Sequence, residues 1–152
     1  MKRQLLYLML FFILISSCSK KVIALTGEVN LISENKYKSI ELRSVGFGKN
    51  QDLAFTNSEI KAFKILFFRG IPNSSIDVPL VGSNEDEMME KHKKYFDSFF
   101  RSRYKSFIMS TYESAPSEKK NGVYSVVNDL NINIKSLKKD LEDHNIIRKF
   151  GF

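Results

Sequence analysis

The chain has 152 residues but only one cysteine, two histidines, three prolines and no tryptophan. A single cysteine excludes a disulfide bond within the chain. His92 and His144 belong to no His-Glu-x-x-His or comparable ligand spacing, so the sequence predicts no metal site and no cofactor. No serine lies in a Gly-x-Ser-x-Gly motif. A hydrolase triad is therefore not supported, and the sequence favours a protein that is not an enzyme.

Long apolar runs are also lacking. The run from Leu5 to Ile15 is too short for a membrane-spanning helix, which needs about 20 apolar residues. Two basic residues precede this run and two serines follow it, directly before Cys18. A basic segment, an apolar segment and small residues make up a secretory signal peptide. We therefore predict that residues 1–17 are a signal peptide that is removed.

The segment Ile15-Ser16-Ser17-Cys18 resembles the lipobox of bacterial lipoproteins. The resemblance implies that Cys18 carries fatty acyl chains such as palmitate, which would anchor the protein to a membrane essentially permanently. Ser19 stands where a retention signal would carry aspartate, and this similarity favours the outer membrane of the cell envelope. The alternative is an ordinary signal peptide, or an uncleaved anchor, with an incidental cysteine.

The charge balance is basic. The formal net charge is +7, and removal of Lys2 and Arg3 with the signal peptide lowers it to +5. This excess is typical of a solvated mixed-charge surface, and it also fits attraction to anionic headgroups or cell-wall polymers. Because an exported protein does not meet nucleic acid, we predict no nucleic-acid partner. Residues 18–37 read as a lipid-attached tether, with a tether that contains one weak strand as the alternative, and residues 38–152 read as one globular domain.

Hydrophobic periodicity changes several times along the predicted domain. The predicted elements, in chain order, are a strand at 38–47, a helix at 50–68, a loop at 72–83, a helix from Asn84, a strand from Tyr104, a hairpin loop at 115–122, a strand at 124–134 and a helix capped by Ser136. This β-α-α-β-β-α order predicts an α+β fold with two layers. Its helices should lie on one face of a small, mostly antiparallel sheet.

One candidate ligand site follows the first predicted strand. Gly46-Phe47-Gly48-Lys49 partly matches a phosphate-binding turn, but it lacks the third glycine of a dinucleotide fingerprint and the second glycine of a P-loop. The alternative is a tight turn between strand and helix. A pocket near Gly46 to Asn50 would also require Glu41, Arg43 or His92 to converge there.

Candidate contact residues lie in three further places. The loop at 71–83 is long and contains prolines, and long surface loops often carry functional residues. Aromatic residues recur at helical spacing between 95 and 107, which favours a core but leaves an exposed patch open as an alternative. The C-terminal tail combines two cations with two aromatics. The candidate partner-binding residues are Ile71, Pro72, Tyr95, Tyr104, Arg148, Lys149, Phe150 and Phe152.

Two further resemblances concern the domain. The strand ending at 42–48, followed by Ala54, Ser58 and Ala62, is similar to the start of the small α+β domain of surface lipoproteins and of the N-terminal domain of flagellar assembly protein T. The segments 66–72, 95–97 and 147–152 resemble uncharacterised small lipoproteins of Bacteroidota. These resemblances imply location and fold, and they bring no catalytic residue.

We therefore expect a membrane-anchored lipoprotein that acts as a non-enzymatic binding or assembly module of the cell envelope. Its partners would be the membrane, through lipid on Cys18, and an envelope protein. The alternatives are a small-ligand binder or enzyme with a pocket near Gly46–Asn50, and a binder of cell-wall polymers.

Overall fold

The computed structural model describes residues 29–149. Within this range the chain forms four strands, four α-helices and one 3-10 helix. In chain order they are β1 (Val29–Asn35), β2 (Ser39–Gly48), α1 (Gln51–Phe68), α2 (Glu85–Lys91), α3 (Lys93–Arg101), the 3-10 helix (Arg103–Phe107), β3 (Ile108–Lys120), β4 (Val123–Asn133) and α4 (Ile134–Asp143).

The four strands form one antiparallel sheet in the order β1-β2-β4-β3. The predicted α+β fold with a small antiparallel sheet is confirmed. The structure differs from the expected element order in having β1, which pairs with β2 although the sequence predicts a tether there. The alternation of β1 is interrupted by a register shift between Leu31 and Ser33, which hides the strand from a period-two search.

Small residues let α1 lie close to the sheet. Ala54 and Ser58 are fully buried on the helix, and Gly46 faces them from β2. A Cβ atom on Gly46 would lie 2.0 Å from the carbonyl oxygen of Ala54, so only glycine fits. Ser44 Oγ donates a hydrogen bond of 2.8 Å to the carbonyl oxygen of Ser58. These contacts hold α1 close to β2.

The two faces of the sheet differ in polarity, as the alternation in the sequence predicts. Ile40 and Leu42 belong to the core beneath α1 and are at most 1% exposed. On the opposite face, Arg43 binds Asp129 through two hydrogen bonds of 2.7 Å. The helices therefore cover one face, and polar side chains line the other.

An aromatic cluster fills the space between α1 and α3. Phe63 and Phe67 on α1 meet Phe96 and Phe99 on α3, and all four side chains are fully buried. The ring centroids of Phe67 and Phe99 are 5.1 Å apart. The prediction that the aromatic helix face belongs to the core is confirmed, because edge and tilted ring contacts of this kind are favourable in protein interiors.

The region before and within the β3–β4 hairpin corrects two predictions. The strand predicted from Tyr104 begins at Ile108, after the 3-10 helix. Tyr104 and Phe107 are both buried, and a spacing of three fits a 3-10 helix rather than a strand. The predicted loop at 115–122 is a two-residue turn at Asn121-Gly122, whose positive φ angles of 51° and 80° suit a tight hairpin.

Two helix boundaries also differ from the prediction. The helix predicted from Asn84 is divided at His92, where φ is −117° and ψ is 33°. β4 ends at Asn133, whose side chain accepts a 2.9 Å hydrogen bond from the backbone of Ser136 and caps α4. The cap is thus Asn133 and not Ser136. Within residues 29–149, no helix combines the length and the apolar character needed to cross a membrane.

Candidate functional site

Three of the predicted contact residues are core residues. Ile71 and Tyr104 are 1% exposed and Tyr95 is 8% exposed, so they do not form a contact surface. The Tyr95 hydroxyl donates to Asp140 at 2.8 Å, and the Tyr104 hydroxyl donates to Glu59 at 3.1 Å. Each tyrosine has a hydrogen-bond partner for its hydroxyl, which is why it is stable in the interior. The exposed-patch alternative for these two tyrosines is therefore wrong.

The other predicted contact residues are exposed or lie outside the described range. Pro72, Arg148 and Lys149 are exposed, and none of them lies in a helix or a strand. Residues 150–152, with Phe150 and Phe152, and the predicted lipid-bearing Cys18 lie outside the described residues. The loop and the tail therefore contribute exposed residues, but the apolar side chain of Ile71 points into the core.

The residues of the predicted pocket near Gly46–Asn50 do not converge. Gly46 and Gly48 lie against the backbone of α1, which leaves no room for a ligand on that side. Arg43 is bound to Asp129 on the open sheet face, whereas His92 lies between α2 and α3. The turn after β2 is a tight connection, as the alternative interpretation of its glycines states.

The structure instead brings both histidines to one pocket, of about 510 Å³, beside the junction of α2 and α3. Most of its lining side chains are cationic or carry a hydrogen-bonding group, and one, Ile146, is apolar. The lining residues that matter chemically are Lys91, His92, Lys94, Ser98, Arg103 and His144. We call this cavity the basic pocket.

The break between α2 and α3 positions one side of the basic pocket. His92 is not helical, and the chain turns there without a side-chain hydrogen bond at the start of α3. Lys91 and Lys94 are exposed on either side of it. Burial, with the charge of Lys91, lowers the pKa of His92, so its imidazole is neutral at pH 7 and can both donate and accept a hydrogen bond.

Asp140 organises the floor of the basic pocket from α4. Its carboxylate accepts hydrogen bonds from the Tyr95 hydroxyl and from the Arg103 guanidinium. Arg103 lies over the Tyr95 ring, with its central carbon 5.4 Å from the ring centroid. His144 also contacts this ring, with a centroid separation of 5.1 Å. These contacts tie α3, the 3-10 helix and α4 together and hold two pocket side chains in place.

Charge is not balanced at the rim of the basic pocket. Lys93 is paired with Asp97 and Arg103 is paired with Asp140. For Lys91 and Lys94, the part of the chain that the structure describes supplies no ion-pair partner. Two cationic groups are therefore available to an incoming anion, above a floor whose own charges are compensated.

This arrangement suits an anion better than a metal ion. Among residues 29–149, no three histidine, cysteine or acidic side chains are grouped so that they could hold a metal. Lysine ammonium groups and serine hydroxyl groups donate hydrogen bonds to oxygen acceptors. A carboxylate or a phosphate offers such acceptors. The pocket therefore has the chemistry of an anion-binding site.

Sequence reasoning missed most of this site. The run Lys91-His92-Lys93-Lys94 is a signal for concentrated positive charge, and it precedes the aromatic stretch that the sequence analysis emphasised. Nothing local connects this run with His144, because α4 brings that residue to the pocket only through tertiary packing.

No family model, curated protein or solved structure matches the chain. The resemblances to small lipoproteins and to flagellar assembly protein T stay predictions, and the site rests on its own geometry.

Proposed function

We propose that the protein is a lipid-anchored, non-enzymatic binding module of the cell envelope, and that the basic pocket is its site for an anionic ligand. The observation that carries the binding role is the convergence of Lys91, Lys94 and both histidines on one pocket. The anchoring role rests on the signal-like leader that ends at the only cysteine of the chain.

Anchoring and binding fit together in this proposal. Acyl chains on Cys18 would hold the domain close to a membrane surface, where phosphate and carboxylate groups are concentrated. The basic pocket offers lysine charges together with hydrogen-bond donors from Ser98 and the imidazoles. Charge attraction of this kind favours binding without requiring a chemical step, which agrees with the expectation of a non-enzymatic role.

The binding role is tested by calorimetric titration of the full-length protein in detergent with inorganic pyrophosphate at low ionic strength. We expect saturable binding that weakens about 30-fold when Lys91 and Lys94 are both changed to Ala, since each lysine charge contributes on the order of 1 kcal/mol and the two together about 2 kcal/mol. The matched control is Lys119→Ala with Lys120→Ala, which removes the same charge from the exposed β3–β4 hairpin.

Membrane fractionation tests the anchoring role in the same set of proteins. Cys18→Ser should move the protein from the membrane fraction to the soluble fraction and leave pyrophosphate binding intact. If the control pair of substitutions weakens pyrophosphate binding as much as the pocket pair does, the effect is a nonspecific effect of net charge. The basic pocket is then not the binding site. If the wild type incorporates no labelled palmitate when cells are grown with it, or Cys18→Ser incorporates as much as the wild type, lipid on Cys18 is not the anchor.

A further inference from the structure

A second cavity, of about 320 Å³, opens between the flank of α1 and the first residues of β3. It shares no lining residue with the basic pocket. Its walls combine apolar, hydroxyl and charged side chains, of which Phe55, Glu59, Lys105, Met109 and Thr111 concern us here. We call it the Glu59 cavity.

Glu59 is a buried carboxyl group with little compensation. The residue is 4% exposed, and the Tyr104 hydroxyl donates a hydrogen bond of 3.1 Å to it. Glu59 takes part in no ion pair within the described part of the chain. Burial raises the pKa of Glu59, and the Tyr104 hydrogen bond and the charge of Lys105 only partly oppose this. A cation in contact with the carboxylate would remove much of the cost of its ionisation.

Thr111 gives a second observation at the same cavity. Its Oγ1 atom is buried and finds no hydrogen-bond partner among residues 29–149. Unpaired buried polar atoms are uncommon in folded proteins because each one loses its contacts with water. Thr111 follows a register shift in β3 between Ile108 and Ser110, and such irregularities often redirect side chains next to binding sites.

The exposed side chain of Met109 stands at the mouth of the Glu59 cavity. It is 62% exposed, and it lies at the register shift rather than in the regular pairing of β3 with β4. Together with Phe55 it gives the cavity an apolar wall beside its polar groups. A ligand with a short hydrocarbon part and one polar end matches this combination.

We propose that the Glu59 cavity binds a small primary ammonium group, with the Glu59 carboxylate as the counter-charge and Thr111 Oγ1 as a hydrogen-bond acceptor. An ammonium group has three donors and no acceptor, so it satisfies both oxygen atoms without adding an unpaired one. Its hydrocarbon part lies against Phe55 and Met109.

Lys105 does not already fill this role. Its ammonium nitrogen lies 6.0 Å from the centroid of the Tyr104 ring and forms no ion pair with Glu59. The side chain is exposed, so its charge is screened by water and salt. It lowers the affinity for a cationic ligand modestly, and Lys105→Ala should therefore strengthen ammonium binding at low ionic strength.

The test compares n-butylammonium with 1-butanol, which has the same hydrocarbon part and no charge. Full-length protein in detergent is titrated with each, and binding is followed by the nuclear magnetic resonance shifts of the Met109 methyl and amide groups, which line the cavity and are present in every variant. We expect saturable binding of butylammonium at least about 10-fold tighter than that of butanol, since a hydrogen bond to a charged group contributes about 1.5–3 kcal/mol.

Three variants complete the test. Glu59→Gln and Thr111→Val should each weaken butylammonium binding, the former about 10-fold or more. Glu113→Gln is the matched control. It also removes one carboxylate charge, but at an exposed position on β3 that does not line the cavity. If Glu59→Gln does not fold, the isosteric Thr111→Val variant decides. Failure of butylammonium to bind, or equal binding of butanol, overturns the proposal, and neither result bears on the basic pocket.

Discussion

The covered and open faces of the sheet are stabilised by different kinds of interaction, although they belong to the same strands. In β4, Leu130 is fully buried among the core residues beneath α1, and its neighbour Asp129 is paired with Arg43 on the opposite face. Apolar burial depends little on salt or pH, whereas an ion pair depends on both. The two faces should therefore respond differently to the same change of conditions.

Two buried carboxyl groups show the same contrast. Burial alone would raise the pKa of Asp129, but hydrogen bonds from Arg43 and Ser114 and the charge of Arg43 hold it below its usual value. Glu59 lacks a guanidinium partner, and burial raises its pKa. Relative to water, folding therefore shifts the Asp129 carboxyl group toward its anion and the Glu59 carboxyl group toward its protonated form.

The largest expected effect concerns the covered face. Gly46→Ala places a Cβ atom 2.0 Å from the backbone oxygen of Ala54, and α1 must move away from the sheet to accommodate it. We expect a loss of about 3 kcal/mol or more in the free energy of unfolding, measured by urea denaturation. Phe47→Ala is the control, because Phe47 is the next residue and is 41% exposed. A loss as small as that of the control would show that the close approach is not needed.

The parts of the fold that were predicted correctly depend on local patterns. The strand predicted at 38–47 and the helix predicted at 50–68 can each be read within one element, and the structure confirms both as β2 and α1. The 3-10 helix was missed because Tyr104 and Phe107 are spaced by three. β1 was expected only as a weak strand within a tether because a register shift at Leu31 breaks its alternation. Local irregularity, and not weak hydrophobic character, accounts for these differences.

The intermediate effect concerns the open face. Asp129→Asn keeps the shape of the side chain but removes the charge that binds Arg43. We expect a loss of about 1–2 kcal/mol near neutral pH, because Arg43 is 43% exposed and recovers part of its solvation. The loss should shrink as salt concentration rises, in contrast to the Gly46→Ala effect.

Acidification gives a second measurement on Asp129. The pKa of Asp129 is lower in the folded state than its unfolded value of 3.8. The contribution of the ionised group to folding stability is therefore fully present above pH 3.8 and is lost as the pH falls through the folded-state pKa. The wild type and Asp129→Asn should therefore converge in stability on acidification below this range. Curves that stay parallel would show that the stability loss has another cause.

The candidate sites were harder to predict than the fold because they depend on contacts between distant segments. His92 and His144 meet only when α4 packs against α3, and Glu59 meets Tyr104 only when the 3-10 helix packs against α1. Tyr95 and Tyr104 were candidates for exposure because they were expected to face away from the sheet. Their partners, Asp140 and Glu59, come from other elements and make burial favourable.

The smallest expected effect has the opposite sign and concerns Glu59. Its folded-state pKa is above the unfolded value of 4.5, so the folded state binds the proton more tightly. The contribution of protonated Glu59 to folding stability is fully present below pH 4.5 and is lost as the pH rises through the folded-state pKa. Glu59→Gln keeps an acceptor for the Tyr104 hydroxyl and removes the ionisable group. We expect this variant to be more stable than the wild type near neutral pH, by on the order of 1 kcal/mol.

Urea denaturation of the wild type and Glu59→Gln between pH 4.5 and neutral pH distinguishes the effect of Glu59 on stability from that of Asp129. The advantage of Glu59→Gln should disappear as the pH falls to 4.5, where the wild-type carboxyl is protonated as well. Glu113→Gln, at an exposed position, should follow the wild type throughout. If Glu59→Gln instead destabilises the protein near neutral pH, the charge of Lys105 stabilises the Glu59 anion more than burial penalises it. Both buried carboxyl groups would then be stabilised as anions, and the contrast between the two sides of the molecule would not hold.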